Sequence, residues 1–140
     1  MTLLELLVTL ALVGILAALA YPSYQATLLR AHRTEAIDAL LGLAAAQERF
    51  HIRYGRYASR LDGGGETLEP TLGISTVTAG GRYQLTLDEI SLEDFTASAS
   101  AREGSGQEAD ERCSRLSVRA NGQRTAQDRR GGDTTGYCWG

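Results

Sequence analysis

The sequence predicts an α+β fold in which one long N-terminal α-helix packs on a small antiparallel β-sheet, followed by a disulfide-closed C-terminal loop. Three observations carry that expectation. An uncharged run from Leu6 to Leu29 passes without a break into an amphipathic stretch ending near Tyr54. Short runs of alternating apolar and polar residues follow, all between residues 82 and 140. Two cysteines, Cys113 and Cys138, lie close to the C-terminus.

At 140 residues the chain is one domain with at most an appended segment. Its hydrophobic content is an ordinary 43%, but most of the leucine and alanine precedes Tyr54. The second half is rich in Gly, Ser, Arg and acids, so its core is small and external stapling would help it. A net charge of −3 does not mark a nucleic-acid binder by bulk electrostatics. All 14 basic residues are arginine, which reads first as compositional bias.

The N-terminal segment begins MTLLELLVTLALVGILAALAYPSYQ, without the basic region that opens a secretory signal peptide. About 20 apolar residues cross the hydrocarbon core of a bilayer, so the run is long enough to span. Glu5 contradicts a simple anchor, because a carboxylate at the bilayer centre costs about 2.5–3.5 kcal/mol and such residues are usually functional. The competing reading places Glu5 in interfacial water with no role. Gly14 and Pro22 weaken the helix between them, glycine through backbone entropy and proline through a missing N–H.

TLLEL at 2–6, the unbroken apolar run and AYPSYQ at 20–25 together resemble the N-terminal signature of type IV pilins and pseudopilins. That resemblance implies a leader peptide removed just before Met1 by a prepilin peptidase, which also methylates the new amine. It implies that Glu5 pairs with the N-terminal amine of a neighbouring subunit during assembly. A buried carboxylate is compensated there, and only one axial stagger brings the charges together. Where the family usually has phenylalanine, this chain has Met1.

From Ala26 to Tyr54 the residues Ala36, Leu40, Leu43, Gln47, Phe50 and Tyr54 recur on one helical face, widened by Ile37, Leu41 and Ala44. Asp38, Arg49 and Arg53 fall on the other side. The whole helix would hold roughly 50 residues and extend about 75–80 Å. Its first half has no partner within one subunit and must lie in lipid or against other copies. Gly55 is a plausible C-terminal cap. Glycines and Pro70 break any periodicity from 55 to 81. Strands are expected around Tyr83–Leu87, Phe95–Ala99 and Leu116–Val118, with a turn at Asn121-Gly122. The expected organisation is therefore an assembly segment at 1–25, the amphipathic half-helix at 26–54, a loop at 55–81, and the sheet with its C-terminal region at 82–140.

The simplest reading of Cys113 and Cys138 outside the cytoplasm is one disulfide, with two unrelated buried thiols as the alternative. The order of elements is also similar to the pilin architecture, with an αβ-loop at 55–81 and a D-region bounded by the two cysteines. YGRYAS at 54–59 and the closing Cys138-Trp139 resemble PilE-type pilins of Gram-negative pili.

No catalytic set is visible: the only histidines are His32 and His51, and neither accompanies a cysteine or a defensible serine triad. The glycines at 63–65 lack the strand and Lys of a phosphate loop. Asp62 and Glu66 flank them, but two carboxylates are thin support for calcium. No metal or cofactor is expected.

Charge is unevenly placed. Asp88 to Glu111 holds eight acids and one arginine; Arg112 to Gly140 holds six arginines and two aspartates. Three readings stand: a solvated surface, complementary contacts between neighbouring heads, or a DNA-contacting edge made of Arg119, Arg124, Arg129 and Arg130.

The resemblance implies a structural subunit that waits in the inner membrane and is extracted into an extracellular filament for adhesion, twitching motility or DNA uptake. Its partners would be other copies and other pilins, the prepilin peptidase, the inner-membrane assembly platform, and DNA in the third of those roles. The alternatives are a type II secretion pseudopilin and a monomeric single-span protein with a periplasmic binding domain.

Overall fold

The computed structural model describes residues 2–62 and 69–140. The chain divides into two compact units, Met1–Ala31 and His32–Gly140, each considered by itself. One helix, α1 (Leu3–Tyr54), runs through both. In the C-terminal unit its buried residues are Arg33, Ala36, Leu40, Leu43, Gln47 and Phe50, alternating in steps of three and four. Five of the six residues expected on this stripe are there. Tyr54 is not: it is 45% exposed and rests its ring on Phe50, which holds the last buried position. Gly55 then takes a left-handed φ of 68° while its N–H donates to the His51 carbonyl, a helix end that disfavours a side chain.

Four antiparallel strands follow in meander order: β1 (Tyr83–Asp88), β2 (Thr96–Ala101), β3 (Arg115–Arg119) and β4 (Arg124–Gln127). The expected Asn121-Gly122 turn joins the last two, with Gly122 at φ 79°. Alternation assigns the faces. Tyr83, Leu85, Ala97, Ala99, Leu116, Val118 and Ala126 are buried in one core with Leu40 and Leu43 of the helix. Ala99 lies between Leu85 and Leu116 in the register, so small side chains in β2 leave room for the helix leucines. On the other face Ser98, Ser117, Arg115 and Asp88 bond to one another.

The loop after α1 is tied down by Gln47. Its buried amide accepts from the Ala58 N–H and donates to the Ala58 carbonyl, satisfying both backbone groups of Ala58 at once. Farther on, Glu35 accepts from the Gly80 N–H at 2.9 Å and from Arg82 at 2.7 Å.

The C-terminal segment covers the open edge of β4. Thr134 N–H donates to the Ala126 carbonyl, Ala126 N–H donates to Thr135 Oγ1, and the Trp139 indole donates to the Thr125 carbonyl. Within it a single turn, α2 (Thr135–Cys138), presents Cys138 to Cys113, and the two form the expected disulfide. Two 3₁₀ turns, Gln107–Ala109 and Glu111–Cys113, lead into β3.

A buried polar cluster joins α1 to these turns. Arg33 Nε donates to Asp110 Oδ2 at 2.7 Å and its Nη2 reaches Oδ1 at 3.4 Å, with both side chains almost fully enclosed. Gln107 also donates to Asp110. The guanidiniums of Arg33 and Arg112 both lie over the Tyr137 ring, 5.0 and 4.9 Å from its centroid. Hydrogen bonding from Arg33 and Arg112 holds the Tyr137 hydroxyl below the usual tyrosine range, whereas burial pushes Tyr83 well above it.

Two outcomes follow for the full chain in detergent micelles, unfolded by urea and monitored by Trp139 fluorescence. Converting Cys113 and Cys138 together to serine should lower stability by about 3–4 kcal/mol, the loop-closure entropy the link removes from the unfolded chain. Wild-type stability in that variant would refute a stapling role. Arg33→Met should cost about 3–5 kcal/mol, because it leaves the buried Asp110 carboxylate without its cation. Adding Asp110→Leu should recover most of that loss, and an unimproved double variant would show that the pair itself is not the source.

Candidate functional site

Two surfaces carry the residues that the sequence offers as candidates. The first is the N-terminal unit, where every described residue before Leu28 is exposed, including Leu3, Leu4, Leu10, Leu16 and Leu19. Its best 18-residue window has a mean hydropathy of 2.5 and no buried share, long and apolar enough to cross a membrane. Thr2 starts the helix: its hydroxyl accepts the Glu5 N–H and its carbonyl accepts the Leu6 N–H. Thr2 and Glu5 thus occupy the N-cap and third helical positions of a capping-box sequence, a local role that the sequence reading missed. The Glu5 carboxylate has no ion-pair or hydrogen-bond partner among the described residues. Met1 lies outside them.

The helix is continuous through Gly14 and Pro22. Proline still withholds a donor from the Ala18 carbonyl, so the ladder is incomplete one turn before it. Gln25 bonds to the Tyr21 hydroxyl across that turn at 2.8 Å.

The second surface is the arginine-rich end of the head. The four arginines singled out from sequence do not form one cluster. Arg119 and Arg124 flank the β3–β4 turn, and Arg129 and Arg130 lie in the loop beyond the opposite end of β4. Arg119 is ion-paired with Asp94 at 2.8 Å and Glu89 at 3.6 Å, and its hydrogen bond holds the Asp94 carboxyl below the usual range. Arg124 stacks over Trp139 at 5.2 Å. Arg129 reaches Glu111 at 3.5 Å and donates to the Glu108 carbonyl.

Much of the charge asymmetry seen in the sequence is therefore resolved within one head. Asp88 pairs with Arg115, Asp94 and Glu89 with Arg119, Asp110 with Arg33 and Glu111 with Arg129. A groove between Glu111, Arg112, Asp128, Arg129 and Arg130 keeps a positive surplus. Asp128 in it is engaged by the Arg130 and Gly132 N–H groups of its own loop. Arg112 and Arg130 are then cations without a carboxylate partner among the described residues. Arg112 also borders the adjoining recess that holds Tyr137, so an aromatic ring stands beside the groove. Sequence reasoning missed Arg112, although it immediately precedes Cys113 and the disulfide fixes it next to Tyr137. Among the described residues no three His, Cys, Asp or Glu side chains converge as a metal site. Glu66, weighed for calcium with Asp62, lies outside the described residues.

The crystal structure of the non-core minor pilin PilV of Neisseria meningitidis shares this fold. It superposes with a TM-score of 0.54 at 19% identity over 73% of this chain and 89% of that one. A major type IV pilin, PilE1, of Neisseria gonorrhoeae is 36% identical over 70 residues, half of this chain and 42% of its own length. A fimbrial protein of Neisseria meningitidis is 41% identical over 58 residues, 34% of its own length. The matches thus span less than half the length of these curated relatives. The family profile described as type IV minor pilin ComP, DNA uptake sequence receptor, matches residues 22–117. That span runs from Pro22 through the amphipathic half of α1 into β3, well over half of the sequence, and the chain belongs to the type IV minor pilin ComP family.

Proposed function

We propose that this pilin enters a type IV pilus through α1 and that its head contacts DNA for uptake. The observation that carries the assembly role is the exposed apolar half of α1 with a single carboxylate, Glu5, near its start. Lipid covers such a surface before assembly and other pilin helices cover it afterwards. Glu5 then faces the amine of a neighbouring subunit, at a Met1 freed from a leader and methylated by the prepilin peptidase. An inner-membrane platform extracts the subunit, and the stretch between Gly14 and Pro22 unwinds as lipid gives way to protein. The chain resides in the inner membrane first and on the cell surface later.

The DNA role is supported by the family description and by the groove at Arg112, Arg129 and Arg130 beside Tyr137. Clustered guanidiniums bind phosphate, and an adjacent ring offers stacking. Arg119 is a poor contributor because acids already neutralise it.

Glu5→Ala should insert normally yet cut the yield of sheared fibres sharply, and an unchanged yield would remove the assembly role. Arg112→Ala and Arg130→Ala should each weaken duplex binding by the full chain across sequences and lower the logarithmic salt slope by about 1. Arg119→Ala should change binding little. Equal effects from all three would dissolve the assignment of the groove.

A further inference from the structure

The connection between β1 and β2 is an exposed knob. Leu92 is 69% exposed and Ile90 stands beside it; among the described large apolar side chains of the head only Ile52, at 83%, is more exposed. The knob is held by its own bonds: Ser91 N–H donates to the Asp94 carbonyl, Asp94 N–H donates to Ser91 Oγ, and Arg119 anchors Asp94. Glu93 at its tip has no ion-pair partner among the described residues. A preorganised turn that exposes leucine beside an acid loses little entropy on binding, which suits it to insertion in a complementary recess.

The head also carries such a recess. A groove of about 260 Å³ lies between the end of α1 and the loop at Thr71, floored by Phe50, Tyr54 and Leu72. Arg49 and Arg53 stand one helical turn apart on its rim, and neither has an ion-pair partner among the described residues. Leu92 remains exposed while knob and groove coexist in one head, so a contact between them must join two molecules.

We propose that the β1–β2 knob of one copy of this chain docks in the Arg49–Arg53 groove of the next, Leu92 on the apolar floor and Glu93 between the arginines. The two patches differ, so the contact is heterologous and continues from copy to copy unless the rotation closes a ring. The proposal extends the filament reading by naming a head-to-head contact that leaves the acids of Asp88, Asp94, Asp110 and Glu111 in their own ion pairs.

The test uses the full chain in membrane vesicles and a short bis-maleimide, which does not react with the Cys113–Cys138 disulfide. Leu92→Cys and Thr71→Cys copies mixed together should cross-link to dimers at least tenfold more than Leu92→Cys mixed with Asn121→Cys. One chain carrying both Leu92→Cys and Thr71→Cys should give a ladder. Arg49→Glu with Arg53→Glu on the groove copy should reduce the dimer tenfold or more, and Glu93→Arg on the knob copy should restore it. A mixed yield no higher than the control overturns the proposal, as does indifference to charge reversal. Loss of the cross-link on adding duplex DNA assigns the groove to nucleic acid and overturns it too. Protection of Thr71→Cys from a maleimide in the isolated chain assigns the groove to that chain's own loop and likewise overturns the docking. Cross-linking is scored apart from fibre yield, so a retained dimer with no fibres would fault the filament reading alone.

Discussion

The ion pair between Arg33 and Asp110 constrains the rest of the head. Removing two charges from water is costly, and their attraction compensates only when both arrive together with good geometry. Sliding α1 along the sheet by one turn would bury one charge without the other. The pair therefore fixes the helix against the turns that lead into β3, and through them the start of that strand. Arg33 also sits on Tyr137, one residue before Cys138, so the helix, the 3₁₀ turns and the C-terminal turn meet at one guanidinium. A pair of this kind is weak support for stability as such and strong support for a single arrangement.

The small core makes such devices necessary. Strand β2 contributes only Ala97 and Ala99 to it, and the large side chains come from the neighbouring strands, the helix and the loop residues Tyr57, Leu61 and Phe95. Polar groups do the remaining joining: Gln47 binds the loop at Ala58, and Glu35 binds the Gly80 turn and Arg82. Burial opposes ionisation of Glu35, yet hydrogen bonds from Thr78, Arg82 and the Gly80 N–H outweigh it and hold the carboxyl below its usual value. The surface ion pairs on the outer sheet face add orientation more than energy.

Much of this was legible in the sequence where a period carried it. The helix stripe repeats every three or four residues, and the strands at Tyr83, Thr96 and Leu116 alternate, so both announced themselves. Arg33 did not, because a charged side chain interrupts an apolar pattern; its place three residues before Ala36 was the signal available. Asp110 and Gln107 sit in 3₁₀ turns, which have no long periodicity to read. The short strand RTAQ is apolar at one residue only and was marked chiefly by the turn before it. For the candidate DNA edge, the four arginines were visible but their neighbours were not. Register places Arg119 opposite Thr96 and so next to Asp94, a consequence of strand pairing and not of spacing.

The cover that the C-terminal segment lays over β4 bears on how copies of this head can coexist. An unpaired strand rim invites another chain to zip onto it through its amides, and such addition is indifferent to side chains and hard to reverse. Here the rim is occupied by the chain's own residues 134–139, clipped in place by a covalent link. Crowded copies are thereby limited to contacts chosen by side-chain shape and charge. Removing residues 134–140 would expose the Thr125 and Ala126 backbone and turn a selective surface into a sticky one.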